Sequence, residues 1–117
     1  MKFKFEKLAV WNIAMDLADS IQTVIKAYPM DERFNLIDQT LRSVDSIALN
    51  IAEGSIGQTH AEQRRFVGYS IRSLAEFVTC LHKAKRRKYI DYIVFSKYYE
   101  QSYKLMNMLI AFRRAIK

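Results

Sequence analysis

Two carboxylates stand where a carboxylate needs a reason. In "SIALNIAEGSIGQTH", Ser46 to His60, Asn50 and Glu53 interrupt an apolar run just before Gly54. An acid in the last turn of a helix faces the negative end of the helix dipole, at a cost of about 0.3–1 kcal/mol. Glu76 sits in "SLAEF" with equally apolar neighbours. Paired carboxylates on helices can do acid/base chemistry or hold two metals, but a di-metal bundle needs Glu-x-x-His pairs. Gly57 stands three before His60 and Thr79 three before His82, so neither histidine supplies one. No metal and no cofactor is expected. Asp16 and Asp19 share a helix face, as neighbouring surface acids commonly do, and Cys80, the single cysteine, reads as a small buried residue. "EGSIG" lacks the Gly-Lys-Ser/Thr of a phosphate loop, and neither Cys-x-x-Cys nor His-Glu-x-x-His occurs. An enzyme acting on a small-molecule substrate is not expected.

Glu53 belongs to a line. Gln39, Ser43, Ser46, Asn50 and Glu53 follow at spacings of 4,3,4,3, and Tyr69, Ser73, Glu76 and Cys80 form a comparable line further on. If the two meet across a helix pair, Asn50 and the serines satisfy one another, and Arg42 or Arg72 compensates a carboxylate. Such a seam fixes register and partner choice at some cost in stability.

The cations suggest a different chemistry. Residues 1–62 carry six Lys/Arg against nine Asp/Glu, whereas residues 64–117 carry thirteen against three, and the whole chain has a formal charge of +7. A polycationic half suits a polyanionic partner, nucleic acid before membrane. "KAKRRK" concentrates Lys83, Lys85, Arg86, Arg87 and Lys88 at a helix end, more than the helix dipole calls for. With Arg64, Arg65 and Arg72 upstream, this helix can lay a basic stripe along a phosphate backbone. Tyr89, Tyr92, Tyr99 and Tyr103 lie near Lys88, Lys97 and Lys104. They can stack on unpaired bases or pack between subunits, and their helical spacing favours packing.

These groups must be positioned by helices. One Pro and three Gly in 117 residues suit long helices, not a many-turned β fold. Val10, Ala14, Leu17, Ile21, Val24 and Tyr28 form a first heptad stripe ended by Pro29, and Ile37, Leu41, Val44, Ala48 and Ile51 a second. Gly54 is placed for a left-handed C-terminal cap. "THAE" offers a capping box at Thr59 and Glu62 before the stripe Val67, Ile71, Leu74, Val78 and Leu81. Asp91 is a plausible N-cap for Phe95, Tyr98, Ser102, Leu105, Leu109, Phe112 and Ile116. The expectation is one all-α domain, residues 1–117, with helices at about 8–28, 32–53, 60–87 and 92–116. Short connections, Pro29–Asp31 among them, make it an antiparallel up-down-up-down four-helix bundle.

The apolar arcs exceed the roughly 100° that one core needs. Tyr92, Tyr99, Tyr103, Met106 and Ile110 flank the fourth stripe, and Trp11, Ala18 and Ile25 the first. The surplus predicts an oligomer, with Trp11, Tyr92, Tyr99, Tyr103, Met106 and Ile110 at the interface. A single core edged by wet tyrosines is the alternative.

"LAVWNIAMDLA", "YPMDERFNLIDQTLRSVDSIALNIAEGS", "RRFVGYSIRSLAEF" and "LMNMLIAF" together resemble, in order, the four-helix-bundle family that includes proteins encoded in intervening sequences of bacterial large-subunit ribosomal RNA genes. "SIALNIAEG" is the most specific piece. The motif positions are Gln39, Arg42, Ser46, Asn50, Glu53, Ser73 and Glu76, with Arg72 standing where the family commonly has Gly. The resemblance implies a cytoplasmic bundle assembling as a ring-like homopentamer, with nucleic-acid binding as the role suggested for such proteins.

The chain has no run of about 18 apolar residues and no signal-peptide stretch, so a cytoplasmic, membrane-free protein is expected. The function expected is a non-enzymatic basic homo-oligomer binding nucleic acid, RNA before DNA. The alternative is an adaptor ring that binds another protein.

Overall fold

The computed structural model describes residues 1–57 and 59–117. Four helices, α1 (Ala9–Ile25), α2 (Leu36–Ser55), α3 (His60–Arg86) and α4 (Tyr92–Ala115), carry the fold, and there is no strand among the described residues. They pack as a bundle in chain order, α1 on α2, α2 on α3 and α3 on α4, with α4 closing most loosely on α1. The long dimension is 43 Å and the other two 24 and 23 Å. No helix among the described residues is long and apolar enough to cross a membrane.

The core follows the heptad stripes. Ala14, Ile21, Val44, Ile47, Val67, Leu74, Leu81, Leu105 and Leu109 are wholly buried, joined by Phe77. Ala18 and Ile25, expected as surplus for a subunit contact, are instead buried in this core. The stripe of α1 is simply wider than a strict heptad seam, as in most globular helices.

The Asp91 cap is as expected, and so is the Thr59 half of the capping box. Thr59 Oγ1 accepts from the Glu62 amide at 3.1 Å and Asp91 Oδ1 from the Val94 amide at 2.9 Å. Two boundaries differ. The α1–α2 connection is not the tight Pro29–Asp31 turn but a longer one containing a 3₁₀ turn at Met30–Glu32. Glu32 delays α2, because its Oε1 accepts the amide of Leu36 at 3.4 Å and the Asn35 side chain at 3.0 Å. Gly54 is not a left-handed cap, since no glycine among the described residues has a positive φ and α2 continues through it. It marks a close approach instead: a Cβ there would lie 2.9 Å from Phe66 Cβ and 3.3 Å from the Gln63 carbonyl of α3.

Candidate nucleic-acid interface

At about 100° per residue, Arg65, Arg72, Lys83 and Arg86 fall within about 60° of one another on α3, and the row runs about 32 Å. Arg65, Arg72 and Arg86 are exposed and Lys83 is half-buried. Glu76, exposed, interrupts the row. None of these four cations pairs with a carboxylate among the described residues. Lys85 leaves the row toward α4, where its ammonium lies 4.6 Å from the Phe95 ring centre and 5.4 Å from that of Tyr92. Such cation–π contacts hold the charge in place without neutralising it.

The end of α3 is built by an unusual cap. Lys88 has φ 65°, the left-handed region normally left to glycine. Around it the Lys88 amide donates to the Lys85 carbonyl at 3.0 Å and the Tyr89 amide to Ala84 at 2.9 Å. That is the Schellman pattern, and it turns the chain sharply. The turn aims Tyr89 inward, where its ring lies 5.4 Å from Tyr28 and its hydroxyl donates to Glu32 Oε2 at 2.7 Å. Arg87 donates to the same oxygen at 2.9 Å. Arg87 is thus spent inside the molecule.

Glu32 is 8 % exposed and was not visible as a site in the sequence. Its hydrogen bond from Tyr89, helped by the Leu36 amide and Arg87, holds its carboxyl below the usual range despite the opposing effect of burial. The same bond pushes the Tyr89 hydroxyl up. An acid four residues before a helix is a visible capping signal, but partners 55 and 57 positions away are not.

Arg64 is committed too. Its guanidinium donates to the main-chain oxygens of Ile116, at 3.4 Å, and Lys117, while Arg113 Nε donates back to the Arg64 carbonyl at 2.9 Å. Of the eight cations expected to contact nucleic acid, Arg64 and Arg87 therefore tie elements together. Arg65, Arg72, Lys83, Lys85, Arg86 and Lys88 remain available.

The polar seam meets α3 in part: its buried member Ser43, with Thr40, sets a hydroxyl beside Cys80 of the α3 line, while the rest of the seam turns outward. Asn50 Nδ2 donates to the Ser46 carbonyl at 2.9 Å, Ser46 Oγ to Arg42 at 2.7 Å, and Arg42 pairs with Asp38 one turn away at 3.2 Å. These are bonds within α2, because these members of the seam lie on its outward side: Arg42 and Glu53 are exposed, Gln39, Ser46 and Asn50 half-buried. On α3, Ser73 is half-buried and Glu76 exposed. A further polar link across the pair runs from Ser70 Oγ to the Ile47 carbonyl at 2.8 Å. Burial pushes the Cys80 thiol up, eased by Thr40 and Ser43 hydroxyls, which keeps it protonated and unreactive. Burial, with Cys80 and Tyr98 nearby, raises Tyr28 to about 12.

Two apolar faces remain uncovered. On α4, Tyr92 is 71 % and Tyr103 60 % exposed, and Phe95, Tyr99 and Tyr103 stack in sequence with centres 5.5 and 6.4 Å apart. Met106 and Ile110 are half-buried beside them. Hollows of about 240 and 290 Å³ flank Tyr103. The other face is a groove of about 460 Å³ between α1 and α2, where Trp11 is half-buried with Phe5, Met15, Ala48, Leu49 and Ala52, and Asp45 at its edge. Leu49, part of the apolar run that Asn50 interrupts, is 62 % exposed.

The chain belongs to the 23S rRNA-intervening sequence protein family, whose pattern matches residues 6–111. A crystal structure from Bacteroides thetaiotaomicron, described as a protein of unknown function from the S23 ribosomal protein family, is similar over 92 % of this chain and 100 % of that one. The TM-score is 0.83 and the sequence identity 23 %, a likeness of fold. Comparison with curated proteins finds no match.

Proposed function

We propose that this is a non-enzymatic protein that binds nucleic acid, RNA before DNA, through the outward side and C-terminal end of α3. The observation that carries the reading is the set of cations on α3 and its C-terminal cap, Arg65, Arg72, Lys83, Lys85, Arg86 and Lys88, without carboxylate partners among the described residues. Glu32 neutralises Arg87 alone among the cations of the "KAKRRK" run. In this reading the bundle is antiparallel, which is supported by the end of α2 meeting the start of α3 at Gly54 and Phe66, and the start of α3 meeting the end of α4 at Arg64 and Ile116. It assembles as a ring-like homo-oligomer, five copies by family resemblance, which repeats the basic row around the ring. The setting is the cytoplasm. A buried, protonated Cys80 offers no nucleophile, which supports a binding role over a catalytic one.

Fluorescence anisotropy with labelled single-stranded RNA over a salt series tests it. Each phosphate contact contributes about −0.7 to the slope of log K against log salt. The Lys85→Ala/Arg86→Ala/Lys88→Ala protein should therefore show a slope flatter by about 2 and weaker binding at every salt concentration. Absence of binding by the unaltered protein at low salt overturns the reading and leaves a protein-binding adaptor.

A further inference from the structure

Of the two hollows beside Tyr103, one opens toward the basic row of α3. Ala75 and Val78 form its α3 wall, Tyr99, Tyr103 and Met106 its α4 wall, and Ser102 its floor, around a volume of about 240 Å³. None of the described residues lining it is an acid. The acids of α4 lie elsewhere. At about 100° per residue Glu100 falls about 60° beyond Tyr103 on the side away from Met106, in the second hollow with Lys104. Asp91 caps the start of α4, about 18 Å along the helix from Tyr103. On α3, Arg72 stands one turn before Ala75 and about 60° from it, at the outer lip of the hollow, exposed and without a carboxylate partner among the described residues. Glu76 lies beyond Arg72, about 100° round the helix from Ala75. The aromatic wall is ordered: Phe95, Tyr99 and Tyr103 stack with planes 27° and 26° apart, and His82 of α3 meets Tyr99 edge-on at 6.1 Å. Ser102 Oγ is buried and has no hydrogen-bond partner among the described residues, a costly state for a hydroxyl.

We infer that this hollow takes one unpaired base of a single strand whose phosphates lie along the α3 row. The inference rests on the nucleic-acid reading above and adds the part of the ligand that is recognised and the residues that recognise it. The rings of Tyr99 and Tyr103 offer a stacking surface that any base can use. A serine hydroxyl both donates and accepts, so Ser102 suits the polar edge of any base as well. Packed helices lie about 8–10 Å apart, so the rings of α4 stand one helix spacing from the cations of α3, a span that the sugar and base of a nucleotide bridge. A duplex gains nothing from the hollow, because its bases are already paired and stacked; it meets the cations alone. The competing occupant is a second copy of this chain. An apolar side chain from it would leave the Ser102 hydroxyl unsatisfied and would take the Arg72 guanidinium at the lip out of water, and burying a charge without a partner is costly. An unpaired base relieves the first and brings a phosphate to the second.

Fluorescence anisotropy with three labelled probes tests it: single-stranded RNA, an RNA duplex, and an abasic sugar-phosphate strand. Tyr103→Ala should weaken binding of the single-stranded RNA about tenfold, within the range measured for loss of one stacking ring. The salt slope should not change, since no cation is removed, and the duplex and the abasic strand should bind as they do to the unaltered protein. Tyr103→Phe keeps the ring and should keep the full affinity. The side chain is 60 % exposed, so Tyr103→Ala should retain its helices by circular dichroism and its mass in sedimentation. Unchanged affinity for single-stranded RNA, or an equal loss for all three probes, overturns the base pocket; a changed mass assigns the ring to a neighbouring copy and overturns it too. In each of those cases RNA binding by the unaltered protein still stands. If the unaltered protein binds no RNA at low salt, the nucleic-acid reading itself fails, and this inference with it.

Discussion

At the scale of single residues, two side chains around one turn decide how α3 ends. Lys88 holds a left-handed backbone, which costs an L residue about 1–2 kcal/mol relative to glycine, while glycine forfeits about 0.4–1 kcal/mol through the freer unfolded chain. The first effect wins. Lys88→Gly should stabilise the fold by about 0.5–1 kcal/mol, read as a higher urea midpoint, while removing one cation from the proposed RNA contact. Stability and affinity then move in opposite directions, which no general folding defect produces. Glu32 acts at the same turn from the other side. Its carboxyl is held below its ordinary value of 4.5, so the folded state binds fewer protons than the unfolded chain, and the stabilisation is full above that value and lost as acid titrates the folded form. Glu32→Gln should lower the melting temperature at neutral pH by several degrees and show a smaller further loss below pH 4.5 than the unaltered protein.

Among the elements, the α2–α3 pair is the most intimate, and glycine is the reason at one end of it. An alanine at Gly54 would gain about 1 kcal/mol in helix propensity. Its Cβ would also meet Phe66 Cβ at 2.9 Å and the Gln63 carbonyl at 3.3 Å, neither of them the free end of a flexible side chain. Overpacking costs about 1–3 kcal/mol, so Gly54→Ala should destabilise the protein by up to about 2 kcal/mol in urea titration despite its better intrinsic preference. The helices themselves were legible in the sequence because heptad stripes and the caps at Thr59 and Asp91 are local signals. Gly54 was misread because a glycine after a long stripe looks the same whether it ends the helix or lets another helix approach. The seam was misplaced in part for a related reason: spacing puts Gln39, Asn50 and Glu53 on one side of α2 with Ser43 at its edge, and Thr40, Ile47 and Gly54 turn that edge, not the middle of the line, toward α3. Of the basic residues, sequence identified the row but not the partners that remove Arg64 and Arg87 from it, since those partners are 52 and 55 positions away.

For the whole molecule, the division of charge along the chain becomes a division in space. The acidic half builds α1 and α2 and the basic half α3 and α4, so a bundle packed in chain order is polarised across its width. In the proposed function, phosphates would take the outward cations of α3, on the basic side of this division. The joint between the two halves of different charge is uneven: α2 and α3 are clamped together, whereas α4 reaches α1 over a short length, where the Tyr98 hydroxyl meets Ser20 Oγ at 2.6 Å and its carbonyl at 3.0 Å. Thermal motion that parts the bundle should run along that line first, with α4 still seated on α3.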